Sequence, residues 1–209
     1  MIELLIAITV FTLVLLVSMY AAVSGFRMFG HTNVRQQLQR DSASVFAWLR
    51  QDLESTNLLR CFVRHREVSG NDRDCLGAVG MESWREPILK DVLGHPKWDR
   101  VLVYTATRED KGHLFRRVLV PDAARVPLSK QDVINLLDGS LKGTYPVHDQ
   151  RRLASGLKVF KVEHSREAES LFFTMKISQT VLNAGSGQPK AEVLEVQTAI
   201  YPRNTFPRL

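Results

Sequence analysis

The sequence predicts an α+β fold, with one long N-terminal helix packed on a mainly antiparallel β-sheet. Three observations predict it. Leu4 to Phe26 is a run of 23 residues without a charge, 18 of them apolar. An apolar stripe at helical spacing continues the run into the polar part of the chain. The rest of the chain holds several runs of alternating or β-branched residues separated by turn residues. A length of 209 residues suits one domain and one added element, and 44% apolar with 24% charged residues is a globular composition.

Residues 1–26 read as the transmembrane half of the helix. At 1.5 Å per residue, 23 residues give about 35 Å, enough for a hydrocarbon core of about 30 Å. A cleaved signal peptide has a shorter apolar core behind a basic segment. Here no Lys or Arg precedes Arg27. Glu3 is the one acid at the lip of this run. A carboxylate there either sits solvated in the headgroup layer or pairs with a cation of another subunit.

Residues 27–58 read as the amphipathic half. Val34, Leu38, Val45, Leu49 and Leu53 recur at spacings of 4, 7, 4 and 4, which puts them on one face. Arg35, Gln36, Gln39, Arg40, Arg50, Gln51 and Glu54 occupy the other sides. The first proline is Pro87, so the helix is expected to run unbroken from about residue 2 to about residue 58. A body must pack on the stripe.

Residues 59–209 read as a globular β-rich domain. Residues 100–107 and 113–120 flank the turn Arg-Glu-Asp-Lys-Gly and suit a hairpin. Residues 157–164 alternate, and residues 171–182 and 191–201 are two further strand-like runs. Asn-Ala-Gly-Ser-Gly-Gln-Pro joins those two as a loop. Ser129 and Asp132 ahead of Val133, Ile134, Leu136 and Leu137, with Gly139 behind, predict a short capped helix. The least regular stretch, about 61–99, reads as a variable surface insertion with marginal secondary structure.

Met1-Ile2-Glu3-Leu4-Leu5-Ile6-Ala7, followed by an apolar helix, resembles the N-terminus of type IV pilins and type II secretion pseudopilins. That family reads Gly, then Phe-Thr-Leu-Ile-Glu-Leu-Leu-Ile-Ala, with cleavage after the Gly. Six of the seven residues match. The basic leader, the Gly and the Phe-Thr pair are missing, so the start is expected to lie upstream of Met1, the alternative being a degenerate, uncleaved relative. The resemblance is strong over about the first 30 residues and weaker over the helix-then-sheet order. In size and strand content the chain is most like a J-type minor pseudopilin.

The resemblance implies an inner-membrane, single-pass protein whose body faces the periplasm. Arg27, Arg35 and Arg40 alone would favour the opposite orientation, so orientation rests on the resemblance. It further implies that Glu3 pairs with the N-terminal amine of a neighbouring subunit, where low dielectric makes an unpaired acid costly. The implied partners are other pilin-like or pseudopilin subunits, met through the N-terminal helix, and a secretion or pilus assembly platform. In an oxidising periplasm, Cys61 and Cys75 could close a disulfide stabilising by about 3 kcal/mol. Two free buried thiols are the alternative.

Other chemistry is poorly supported. Asn71, Asp72, Asp74 and Gly77 lack calcium-loop spacing, and the six histidines lack zinc-site spacing. No nucleophile elbow or phosphate-binding glycine loop occurs. No catalytic residue, metal or cofactor is expected. The net charge is +6. The clusters Arg116-Arg117, Lys130, Arg151-Arg152 and Lys158-Lys161 read as solvated surface, not as a nucleic-acid interface. The expected function is assembly into a short periplasmic filament or its tip complex for protein secretion. The alternatives are a minor pilin of a type IV pilus or DNA-uptake system and, in another class, a bitopic membrane-anchored periplasmic binding protein.

Overall fold

The computed structural model describes residues 2–80, 100–120, 130–138, 146–165, 167–182 and 189–202. The chain runs α1 (Ile2–Glu54), β1 (Thr56–Arg64), β2 (Glu67–Val68), β3 (Asn71–Asp72), β4 (Cys75–Gly80), β5 (Arg100–Ala106) and β6 (Gly112–Leu119). It continues with α2 (Lys130–Asp138), β7 (Val147–Ser165), β8 (Ser170–Leu182) and β9 (Pro189–Ile200). The fold is α+β: one long helix lies on an antiparallel seven-stranded sheet of order β1-β4-β5-β6-β7-β8-β9.

α1 ends at Glu54, four residues before the expected boundary. Ser55 and Thr56 end it chemically. Their hydroxyls donate to the Asp52 carbonyl at 2.6 and 2.8 Å, capturing an acceptor that the next helical turn would need. Thr56 then opens β1.

β7 is 19 residues long and serves two neighbours. Val147–Leu157 pairs with β6, and Leu157–Ser165 pairs with β8. Gly156 sits at the handover with φ +69°. That conformation and the bulge beside it favour glycine. The sheet curls at this end: the Asp74 N–H donates to the Phe160 carbonyl at 2.8 Å, so the segment leading into β4 reaches β7.

Two cores result. On the concave face, Leu38, Val45, Leu49 and Leu53 of α1 are buried among Leu76, Tyr104, Leu114, Phe160, Phe173 and Met175, with Val34 packed partly against them. On the other face, Val133 and Leu137 of α2 close over Cys75, Val79, Val101 and Val103.

The stretch 61–80 is not a surface insertion. It holds the end of β1, the small β2–β3 hairpin and β4, and every residue of β4 is buried. A strand covered on both faces loses the alternation that marks a half-exposed one. Residues 81–99 lie outside the described residues, as do Ser129, Gly139 and most of the loop 183–189.

Cys61 and Cys75 are free thiols, and the disulfide considered for them is not formed. In the β1–β4 ladder Cys61 faces Ala78, whereas Cys75 faces Arg64. The three-residue offset also puts them on opposite faces, Cys61 toward the α1 core and Cys75 in the α2 core.

Candidate membrane and assembly surface

α1 is 53 residues long, or about 80 Å at 1.5 Å per residue. It divides into two halves of opposite character. In the first half Ile2, Leu4, Leu5, Ile6, Ile8, Phe11, Leu13 and Leu16 are all exposed, and nothing in the fold covers them. An 18-residue window there has mean hydropathy 2.5 and no burial. Length and composition suit a membrane crossing.

The two threonines of this half fit an apolar solvent. The Thr12 hydroxyl donates to the Ile8 carbonyl at 2.7 Å, and Thr9 donates to Leu5 in the same way. Neither hydroxyl is left unpaired, as a hydrocarbon environment demands. Glu3 differs. It lies in the first turn, where the helix dipole favours an acid. Among the described residues it has no ion-pair partner. A carboxylate so placed on a bare apolar helix can accept a cation brought by another molecule.

The second half is locked to the sheet by a polar cluster. Tyr104, Arg116 and Arg151 are successive cross-strand partners on β5, β6 and β7. Trp48 and Asp52, one turn apart on α1, descend onto this row. Arg116 donates to both Asp52 oxygens, from Nε at 2.6 Å and from Nη2 at 2.8 Å. The Tyr104 hydroxyl also donates to Asp52. Asp149 accepts from Arg116 Nη1 at 3.3 Å and from Arg151 Nε at 3.0 Å, which screens the two facing cations from each other. Both guanidiniums lie over the Trp48 ring, 4.6 and 4.9 Å from its centroid.

Burial opposes the charge on Arg116, but the bonds with Asp52 outweigh it and raise its pKa above the ordinary arginine value. Burial, and then the Asp52 charge, push the Tyr104 hydroxyl well above its usual value. Arg116 is therefore not part of a solvated basic surface; it is 7% exposed. Its neighbour Arg117 is half-buried and donates to Gln150.

His31 Nδ1 lies 3.0 Å from Glu192 Oε1 on β9, where the helix leaves the body. A groove of about 600 Å³ runs between Ala43, Phe46, Ala47, Arg50 and Glu54 of α1 and residues 198–201. Among the described residues no group of three or more His, Cys, Asp and Glu side chains could hold a metal ion. Burial pushes the Cys61 thiol up to about 12 and raises Cys75 as well. Neither is a thiolate nucleophile at neutral pH.

No family model matches the chain, and no curated protein or solved structure matches it.

Sequence reasoning singled out Glu3 and the apolar stripe but missed the Asp52 cluster. The signal was present. Asp52 lies one turn beyond Trp48 and beside Leu53 on the stripe, and Arg116 holds the inward position between Leu114 and Val118. Opposite charges at inward positions of two elements are candidates for a buried pair.

Proposed function

We propose that the chain is a minor pilin-like subunit, most like the J-type minor pseudopilin of a type II secretion system. In this reading the apolar half of α1 anchors in the inner membrane and then bundles with the same helix of other pilin-like subunits. The sheet stands in the periplasm and crowns a short filament or its tip complex. Glu3 accepts the N-terminal amine of a neighbour and sets the register. No catalytic step is assigned to the body.

The observation that supports the reading is the continuity of α1. One helix carries both the bare apolar half with Glu3 and the half pinned by Asp52. A rigid link of this kind transmits the position of the membrane half to the body, as a filament subunit requires. A bitopic binding protein would need a ligand site instead, and the groove between α1 and the end of β9 is where it would lie.

Photo-crosslinking from Leu13 and Leu16 in cells separates the two. The filament reading predicts crosslinks to the corresponding helix of other pilin-like subunits. Crosslinks to lipid alone would contradict it.

A further inference from the structure

Arg66 and Arg73 flank the β2–β3 hairpin and face each other at its base, where the Arg73 N–H donates to the Arg66 carbonyl at 2.6 Å. Both side chains reach the β5–β6 loop. Arg66 Nη2 donates to the Ala106 carbonyl, and Arg73 Nη2 donates to the Asp110 carbonyl at 3.4 Å. Arg73 is 2% exposed. It crosses above Gly112, where a Cβ would overlap its guanidinium.

Among the described residues these two guanidiniums bond only to backbone carbonyls and to no carboxylate. The Asp110 carboxylate turns outward to Lys158 Nζ at 3.4 Å, and its side chain is 89% exposed. Asp74 is occupied by His65 and by the backbone N–H groups of Arg66 and Val162. Three buried donors are left unpartnered: Arg66 Nε, Arg73 Nε and Arg73 Nη1. Two like charges directly opposite each other, with unmet donors and no acid between them, are costly. Burial lowers the Arg73 pKa; Asp110 partly opposes this, and Arg66 adds to it.

We propose that Arg66 and Arg73 form a binding site for a small tetrahedral oxyanion, phosphate or sulfate, beneath the 107–111 loop. Arg66 Nε and an open edge of the Arg73 guanidinium call for oxygen acceptors, and a tetrahedral anion offers more of them, in more directions, than a two-oxygen carboxylate does. The depth of Arg73 selects a small free ion over a phosphate carried on a lipid or a chain. Entry requires the loop to lift, and the three Asp110 contacts that hold it there are long, each 3.4 Å. The bound anion ties the hairpin, the β5–β6 loop and β7 together at the curled end of the sheet.

Thermal unfolding of the full chain in detergent tests this, with phosphate, sulfate or acetate added against chloride at matched ionic strength. Phosphate and sulfate are expected to raise Tm in a saturable way, and acetate is not. Arg73→Met and Arg66→Met are expected to lose that rise. Arg73→Met is also expected to match or exceed the parent protein in chloride, because an unpaired buried cation has gone. Equal rises in the parent and both variants, or no rise in the parent, would overturn the proposal. If Arg73→Met does not fold, Arg66→Met decides alone: an undiminished rise there overturns it and a diminished one supports it.

Discussion

Asp52 of α1 and Arg116 of β6 form a buried two-pronged ion pair, with donor–acceptor distances of 2.6 and 2.8 Å. It is the polar fastener between helix and sheet, and it is closed to water on both sides. Breaking one half strands the other charge. Asp52→Ala is expected to destabilise the fold by about 3–5 kcal/mol, and Arg116→Met by a similar amount. The double variant should lose less than the sum, which a denaturant double-mutant cycle measures. Additive losses would mean that the pair is not coupled.

Gly156 is the glycine that the sheet can least afford to lose. Its φ is +69°, and a Cβ there would overlap the Ser178 carbonyl oxygen on the neighbouring strand. Gly156→Ala should cost more than the roughly 1 kcal/mol of an ordinary strained substitution, because backbone must move as well. Urea unfolding reads the loss. A neutral outcome would mean that β7 does not hand over from β6 to β8 at this residue.

Alkaline pH should weaken the fold through its buried acids. The Cys61 thiol has an ordinary value of 9.0, raised by burial to about 12 in the fold. The unfolded chain therefore loses this proton first as pH rises. The stabilisation is complete below pH 9 and fades between 9 and 12. Tyr104, raised above 10.0, acts in the same direction at higher pH. Stability measured from pH 8 to 11 should fall in the parent protein and fall less in Cys61→Ala. Both cysteines should also resist alkylation at pH 8 until the chain unfolds.

Legibility in the sequence followed exposure. Uniform apolarity up to Phe26 and the stripe from Val34 to Leu53 identify α1 because each face of that helix meets a single environment. β6 and the runs that became β8 and β9 are legible because one face is more exposed than the other, whereas β5, covered on both faces from Val101 to Tyr104, is legible from its β-branched residues and the polar turn behind it. β4 is covered on both sides, so Cys75-Leu76-Gly77-Ala78-Val79-Gly80 carries no alternation and reads as irregular. The first half of β7 was missed because Arg151 and Arg152 lie within it and look like loop residues. The role of Arg116 depends on Asp52, 64 positions away, and only the fold brings the two together.

The apolar half of α1 is structurally independent of the body. Its window is unburied, and the core begins at Val34. Removing residues 1–26 should leave a water-soluble body with an unchanged Tm. Partition into detergent should follow residues 1–26 and not the sheet. A large drop in Tm on removal would mean that this half packs on the body.

Co-purification of the Glu3→Ala protein with pilin-like subunits from membranes tests the central claim most directly. The account predicts normal insertion of Glu3→Ala into the inner membrane together with a loss of those partners, since the helix keeps its apolar length and loses only its acid. Recovery of the same partners at the parent level would contradict it.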